Sequence, residues 1–351
     1  MKKIILSMMA VAALAACTKS EVQYEAAGEI AFAPIASNVT KSVAGYDGDT
    51  FDGVFPTGVN LYVFANASTD DGTAWTDPYF ANALFVWDTD KGTEDTQGTV
   101  DTEGAYAGNP TRYWPNVKTL KFAGYSDACN VSDLTPTMNS DLSALTIGGY
   151  VQDNTKTEEG ANDLMWFPCD GTAYDKTANE IAANMRHACS WITIKVAGDA
   201  VTAGKWTLNS LVVTDLVHSG SVVCGATTAT WTLDTAKADE DYYNAGTTFT
   251  DEYLKYEKNA NNFIVLPQEP TNLEVNYTYV SDNRGTADTA DDITLTETKS
   301  VSLDYDTAGT AWQPGVHYIY NVKITATEIL IDPVVVDWTN YTGNDIEKEV
   351  E

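Results

Sequence analysis

The sequence predicts an all-β protein of antiparallel β-sandwiches with few short helices. Three observations predict it: apolar residues recur with period two, Gly, Asp, Asn, Pro and Thr clusters fill the connections, and few segments have helical composition. A chain of 351 residues exceeds a usual single domain, so two domains, each with its own core, are expected. A hydrophobic content of 44% is enough to fill them.

The elements follow in chain order. From Gly28 to Ile35 the alternation puts Ile30 and Phe32 on one face, and Pro34 ends it, so a short strand is expected there. Val59, Leu61 and Val63 alternate after Gly58. Lys176 to Ala188 has the Ala, Glu, Met and Arg content of a helix of two or three turns, and Asp251 to Asn259 that of a shorter one. Ile192, Ile194 and Val196 alternate after Trp191, as do Leu273, Val275, Tyr277 and Tyr279. Tyr318, Tyr320, Val322 and Ile324 repeat the pattern, and Val334, Val336 and Trp338 close it. Each of these runs is expected to be a half-buried strand.

Charge excludes several partners. Fifty Asp and Glu face 20 Lys and Arg, a net charge of -30, and no basic cluster offsets it. Binding to nucleic acid or to an anionic membrane surface is not expected of such a chain. The acidic stretches Asp88 to Asn109 and Ser281 to Asp292 read as solvated connections; the first has Thr99 where a calcium loop needs a bidentate Glu, and the second lacks alternating ligands. No metal and no cofactor is expected.

The N-terminus sets the compartment. Lys2 and Lys3 precede an apolar run from Ile4 to Ala13, and Leu14-Ala15-Ala16-Cys17 follows; this resembles a bacterial lipoprotein signal, which makes Cys17 the lipidated first residue. The run is shorter than the roughly 20 residues of a membrane span. Lipid on Cys17 would hold the chain to a membrane facing the periplasm or the exterior. The spacing of Cys129, Cys169, Cys189 and Cys224 matches no zinc pattern. Cys169 and Cys189 could pair or remain buried thiols, and all four are read as structural.

Catalytic patterns are absent from the sequence. His187, His218 and His317 sit in no H-E-x-x-H, and the chain has no G-x-S-x-G, P-loop or G-x-G-x-x-G. His187 and Cys189 are neighbours on a strand face with no third orienting group, so the bland reading is preferred. Carboxylate pairs carry no signal where acids are this abundant. Nine Trp and 19 Tyr suit the faces of sheets, although exposed ones would suit a sugar platform.

Lys41 is isolated. From Ser20 through Asp90 it is the only Lys or Arg, and it stands between the Ile30 and Phe32 strand and the Gly- and Asp-rich "SVAGYDGDTFDG". An accessible extended loop with one base suits a trypsin-like protease.

The order of motifs resembles the fimbrillin family, the type V pilins of Gram-negative gut and oral bacteria. The resemblance is carried by the signal ending at Cys17, "IAFAPIASNVTKS" (30–42), "VNLYVFA" (59–65), "RYWPNVKTLKFAGYSDA" (112–128), "DLMW" (163–166), "MRHACSWITIKV" (185–196), "FIVLPQ" (263–268), and "WQPGVHYIYNVKI" (312–324) leading to "VVVDW" (334–338). It implies two transthyretin-like β-sandwich domains in a lipoprotein precursor of the outer membrane, destined for a cell-surface fimbrium. The implied division is a signal peptide at 1–16, a propeptide with the first strand at 17–41, an N-terminal sandwich at 42–180 and a C-terminal one at 181–351.

The resemblance further implies cleavage between Lys41 and Ser42 by a trypsin-like protease, loss of the Ile30 and Phe32 strand, and polymerisation as a strand of another fimbrial subunit fills the slot. The expected donor is the region of Ile329, Ile331, Val334, Val336 and Trp338, or the tail after it. Family members often carry Arg at the cleavage position, where this chain has Lys. "DTA" at 234–236, 288–290 and 306–308 resembles the O-glycosylation acceptor of the same bacterial group, which marks Thr235, Thr289 and Thr307. The expected function is a structural fimbrial subunit supporting adhesion and not an enzyme; the alternative is a surface glycan-binding lipoprotein.

Overall fold

The computed structural model describes residues 28–34, 59–88, 105–116, 118–126, 134–153, 162–178, 181–199, 205–255, 263–281, 292–306, 310–325 and 328–337. Strand β1 (Ala31–Pro34) comes first, followed by β2 (Leu61–Ala67), β3 (Asp77–Asp88), β4 (Ala105–Gly108) and β5 (Leu120–Ser126). The hairpin β6 (Thr135–Met138) and β7 (Leu145–Val151) precedes three short strands, β8 (Met165–Phe167), β9 (Ile181–Ala183) and β10 (Arg186–His187). Then come β11 (Ser190–Gly198), β12 (Trp206–Val217), β13 (Ser219–Cys224), β14 (Ala229–Leu233), β15 (Lys237–Thr248), β16 (Leu254–Lys255) and β17 (Phe263–Val265). The described chain closes with β18 (Asn272–Ser281), β19 (Ile293–Ser302), β20 (Val316–Ile324) and β21 (Ile329–Asp337).

The first sheet has eight strands in the order β10-β8-β5-β2-β3-β4-β1-β9. Its two outermost strands are separated in the chain only by Asn184 and Met185, so the sheet curls back on itself. One face encloses Ile30, Phe32, Val63, Phe85, Tyr106, Leu120, Phe122, Phe167 and Ile181. Gly124 sits where β2, β5 and β8 converge; a Cβ there would lie 2.5 Å from the Tyr62 carbonyl oxygen and 2.5 Å from the Phe167 ring, so only glycine fits.

The opposite face of β2, β5 and β8 presents Phe64, Ala123, Tyr125 and Trp166 to a four-stranded sheet ordered β14-β13-β7-β6. That core also takes in Cys189, Trp191, Ile264 and Ile319. The pairing of β13 with β7 runs across the division at 180/181 implied above. The last core lies between the sheet β16-β11-β20-β21 and the sheet β15-β12-β18-β19, two layers of a sandwich. Antiparallel pairing dominates, with parallel exceptions at β1/β9 and β11/β20.

Two expectations need correction. Among the described residues there is no helix. In the first expected helix, the residues from Ile181 to His187 alternate strictly: Ile181, Ala183, Met185 and His187 are buried, and Ala182, Asn184 and Arg186 face outward. This period of two, captured by the pairing of β9 with β1, outweighs helical propensity. In the second, Leu254 and Lys255 form β16 against β11. The other correction concerns β11, expected to be half-buried but covered on both faces, because Trp191 joins one core while Ile192 and Ile194 join another.

Candidate functional site

The site is built around the segment Gly28 to Pro34. Its alternation aims Ile30 and Phe32 inward, and both are buried, at 1% and 0% exposure. On one side β1 runs antiparallel to β4, with Ala31 opposite Ala107 and Phe32 opposite Tyr106. On the other it runs parallel to β9, with Phe32, Ala33 and Pro34 opposite Ile181, Ala182 and Ala183. The Ile30 amide donates to the Arg112 carbonyl at 2.8 Å, and the Trp114 amide donates to the Gly28 carbonyl at 3.0 Å. Backbone pairing on both sides sets the strand spacing, while Ile30 and Phe32 fill the interior.

Phe32 is the centre of the aromatic core. Its ring meets Phe85 edge-on at 4.9 Å, Phe122 edge-on at 5.3 Å and Phe167 at 5.8 Å. Those rings come from β3, β5 and β8, so this one side chain touches strands from across the curled sheet. Without β1, an apolar trench between β4 and β9 would open, flanked by two rows of backbone groups lacking partners. Lys41, Ser42 and Cys17 lie outside the described residues.

The expected donor region is β21, an edge strand paired antiparallel with β20 from Ile324↔Ile329 to Val316↔Asp337. Ile329 and Ile331 pack on the C-terminal core and Val334 on the core shared with the first sheet, whereas Leu330 and Val335 face solvent. Pro333 is tolerated at this edge because it has no amide to donate outward. Val336 pairs with His317 through the backbone, and Trp338 lies outside the described residues.

The remaining sequence candidates have structural settings. Cys169, Cys189 and Cys224 are thiols and not disulfides, and Cys129 lies outside the described residues. Cys189 Sγ lies 3.9 Å from the Tyr150 hydroxyl, while His187 Nδ1 lies 2.8 Å from Asp163 Oδ1 in a buried pair. His317 stacks on Trp191 at 3.5 Å, and its Nε2 lies 2.9 Å from the Thr193 hydroxyl. Burial holds its pKa well below the ordinary histidine range, with Lys255 and Lys195 adding to the depression. Trp114, Trp166, Trp191, Trp206 and Trp312 are buried, so these indoles fill cores. No group of three or more His, Cys, Asp or Glu is gathered for a metal among the described residues. Thr235 is exposed between β14 and β15; Thr289 and Thr307 lie outside the described residues.

Sequence reasoning missed β9 and the backbone grip of Arg112 and Trp114. The alternation at Ile181, Ala183, Met185 and His187 would have revealed β9.

The structure is that of an all-β protein whose first strand is held between β4 and β9. The fimbrillin-like family matches residues 48–338, and the chain belongs to that family. Among solved structures, a fimbrial protein from Bacteroides vulgatus ATCC 8482 shares the fold at 17% identity and a TM-score of 0.57, over 81% of this chain and 93% of its own. A proposed cell adhesion protein from Bacteroides uniformis ATCC 8492 is 17% identical with a TM-score of 0.48, over 88% of this chain and 99% of its own. No curated protein matches.

Proposed function

We propose that the protein is a structural fimbrial subunit, exported as an outer-membrane lipoprotein through Cys17 and cleaved between Lys41 and Ser42 by a trypsin-like protease. Residues 17–41, including Ile30 and Phe32, then leave, and the vacated slot takes a strand from another subunit. The region from Ile329 to Trp338 is the favoured donor, and adhesion at the cell surface is the outcome. One observation carries this reading: a very short strand, next to a lone basic residue in the sequence, supplies the central side chain of the first core. Losing it exposes apolar pockets worth roughly 1.5 to 3 kcal/mol for each large side chain, and an incoming strand of matching alternation recovers that burial.

Limited trypsin treatment of the purified chain tests it. The expected result is one early cut at Lys41 followed by a heat-resistant ladder of oligomers on a gel. Scattered cutting, or a Lys41→Ala chain that assembles as well as the parent, overturns the proposal. Selective glycan capture by uncut monomer would favour the glycan-binding alternative.

A further inference from the structure

Among the described residues, the sheet containing β18 and β19 ends on an edge with no bulge and no proline. Among the described residues β19 pairs only with β18, from Asn272↔Ser302 to Ser281↔Ile293, with no register shift over its 10 residues. The other edge of the same sheet, β15, is interrupted by register shifts against β12 and carries Asp239, Glu240 and Asp241. The edge strand β21 carries Asp332 and Pro333. Bulges, like-charge clusters and proline discourage strand addition, and β19 has none of these; its two charges, Glu297 and Lys299, are of opposite sign and lie 3.2 Å apart.

The chemistry of β19 reads alike from either side of Thr298. Glu297 answers Lys299, Thr296 answers Ser300, and Leu295 answers Val301. Leu295, Glu297, Lys299 and Val301 stand opposite Tyr279, Tyr277, Val275 and Leu273, and so share the inner face of the sheet. That face is incompletely covered here: Leu295 is 50% exposed, and a cleft of about 650 Å³ separates it from Thr325 and Ile329.

We propose that β19 pairs antiparallel with β19 of a second copy, across a two-fold axis at Thr298. This register sets Glu297 of each copy opposite Lys299 of the other, and Leu295 opposite Val301, with each pair occurring twice. Moving the axis one residue either way sets Glu297 against Glu297 or Lys299 against Lys299, which is unfavourable directly across a ladder. The strand therefore specifies both its partner and its register. The contact is lateral and isologous, distinct from the filling of the β1 slot.

The Lys41→Ala chain, which the processing proposed above cannot open, separates the two ideas. In sedimentation equilibrium at about 0.15 M salt, where distant charges are screened over about 8 Å, it should dimerise reversibly. Glu297→Lys and Lys299→Glu should each weaken the dimer at least tenfold, and the double exchange should restore it. Thr298→Cys should cross-link under mild oxidation beyond its parent, because facing Cα atoms would lie about 4.5 to 5.5 Å apart, within disulfide reach. Thr294→Cys should not. A chain that stays monomeric, a dimer indifferent to both single charge changes, or equal cross-linking at both positions overturns the proposal; the cross-linking arm stands even if a charge variant misfolds.

Discussion

Phe32 of β1 and Phe85 of β3 meet edge to face, with ring centroids 4.9 Å apart and planes at 87°. They belong to strands separated by β4 in the sheet order, so their contact spans the interior of the curl. Phe32→Ala in the intact chain should lower stability by about 3 to 5 kcal/mol, as removal of a buried phenyl ring does. Urea unfolding of Phe32→Ala, Phe85→Ala and the double variant should show a coupling of about 0.5 to 1.5 kcal/mol. Strict additivity would mean the rings do not support each other.

A synthetic peptide spanning Gly28 to Pro34 should occupy the slot after cleavage and suppress the oligomer ladder. The same peptide carrying Phe32→Asp should have no effect, since a carboxylate among three rings would be buried without a partner. Equal suppression by both peptides would show that the slot is not what they bind.

Gly124→Ala should destabilise the first sheet by about 1 to 3 kcal/mol, because the added methyl meets the Tyr62 carbonyl oxygen, a backbone atom that cannot rotate away. Thermal unfolding should show the loss. Phe167→Leu in the same background would relieve only the ring contact and should recover little.

His317 predicts a pH dependence. Its pKa is depressed in the fold, first by burial and then by Lys255 and Lys195. Above about pH 6.5, the ordinary histidine value, it is neutral folded and unfolded and adds no slope. Below that the unfolded chain takes up a proton that the folded chain does not, so stability falls with pH by up to about 1.4 kcal/mol per unit until the folded pKa is reached. Denaturant midpoints between pH 7.5 and 5 should fall more steeply for the parent than for His317→Gln. Parallel profiles would refute the assignment.

Cys224 should resist alkylation in the native protein. Burial pushes its thiol up to about 12, so almost no thiolate forms at pH 8. Iodoacetamide followed by mass analysis should label Cys224 only after unfolding, whereas half-buried Cys169 should react first.

The sequence alone determined the all-β class and the positions of six strands, because a sheet with one covered face writes itself as alternation. Leu273, Val275 and Tyr277 in β18, and Tyr318, Tyr320, Val322 and Ile324 in β20, point inward as that pattern requires. It also picked out Ile30 and Phe32 as a strand. Tertiary structure alone decided what that strand is for in the fold. Its partners β4 and β9 lie far along the chain, and pairing between distant segments leaves no mark in local periodicity. The same reason explains β9: the Ala, Glu, Met and Arg residues in and around it favour a helix locally, and pairing with β1 holds Ile181 to Ala183 extended. It explains β11 too, where a second core covers Trp191 on the face that sequence reading left to solvent.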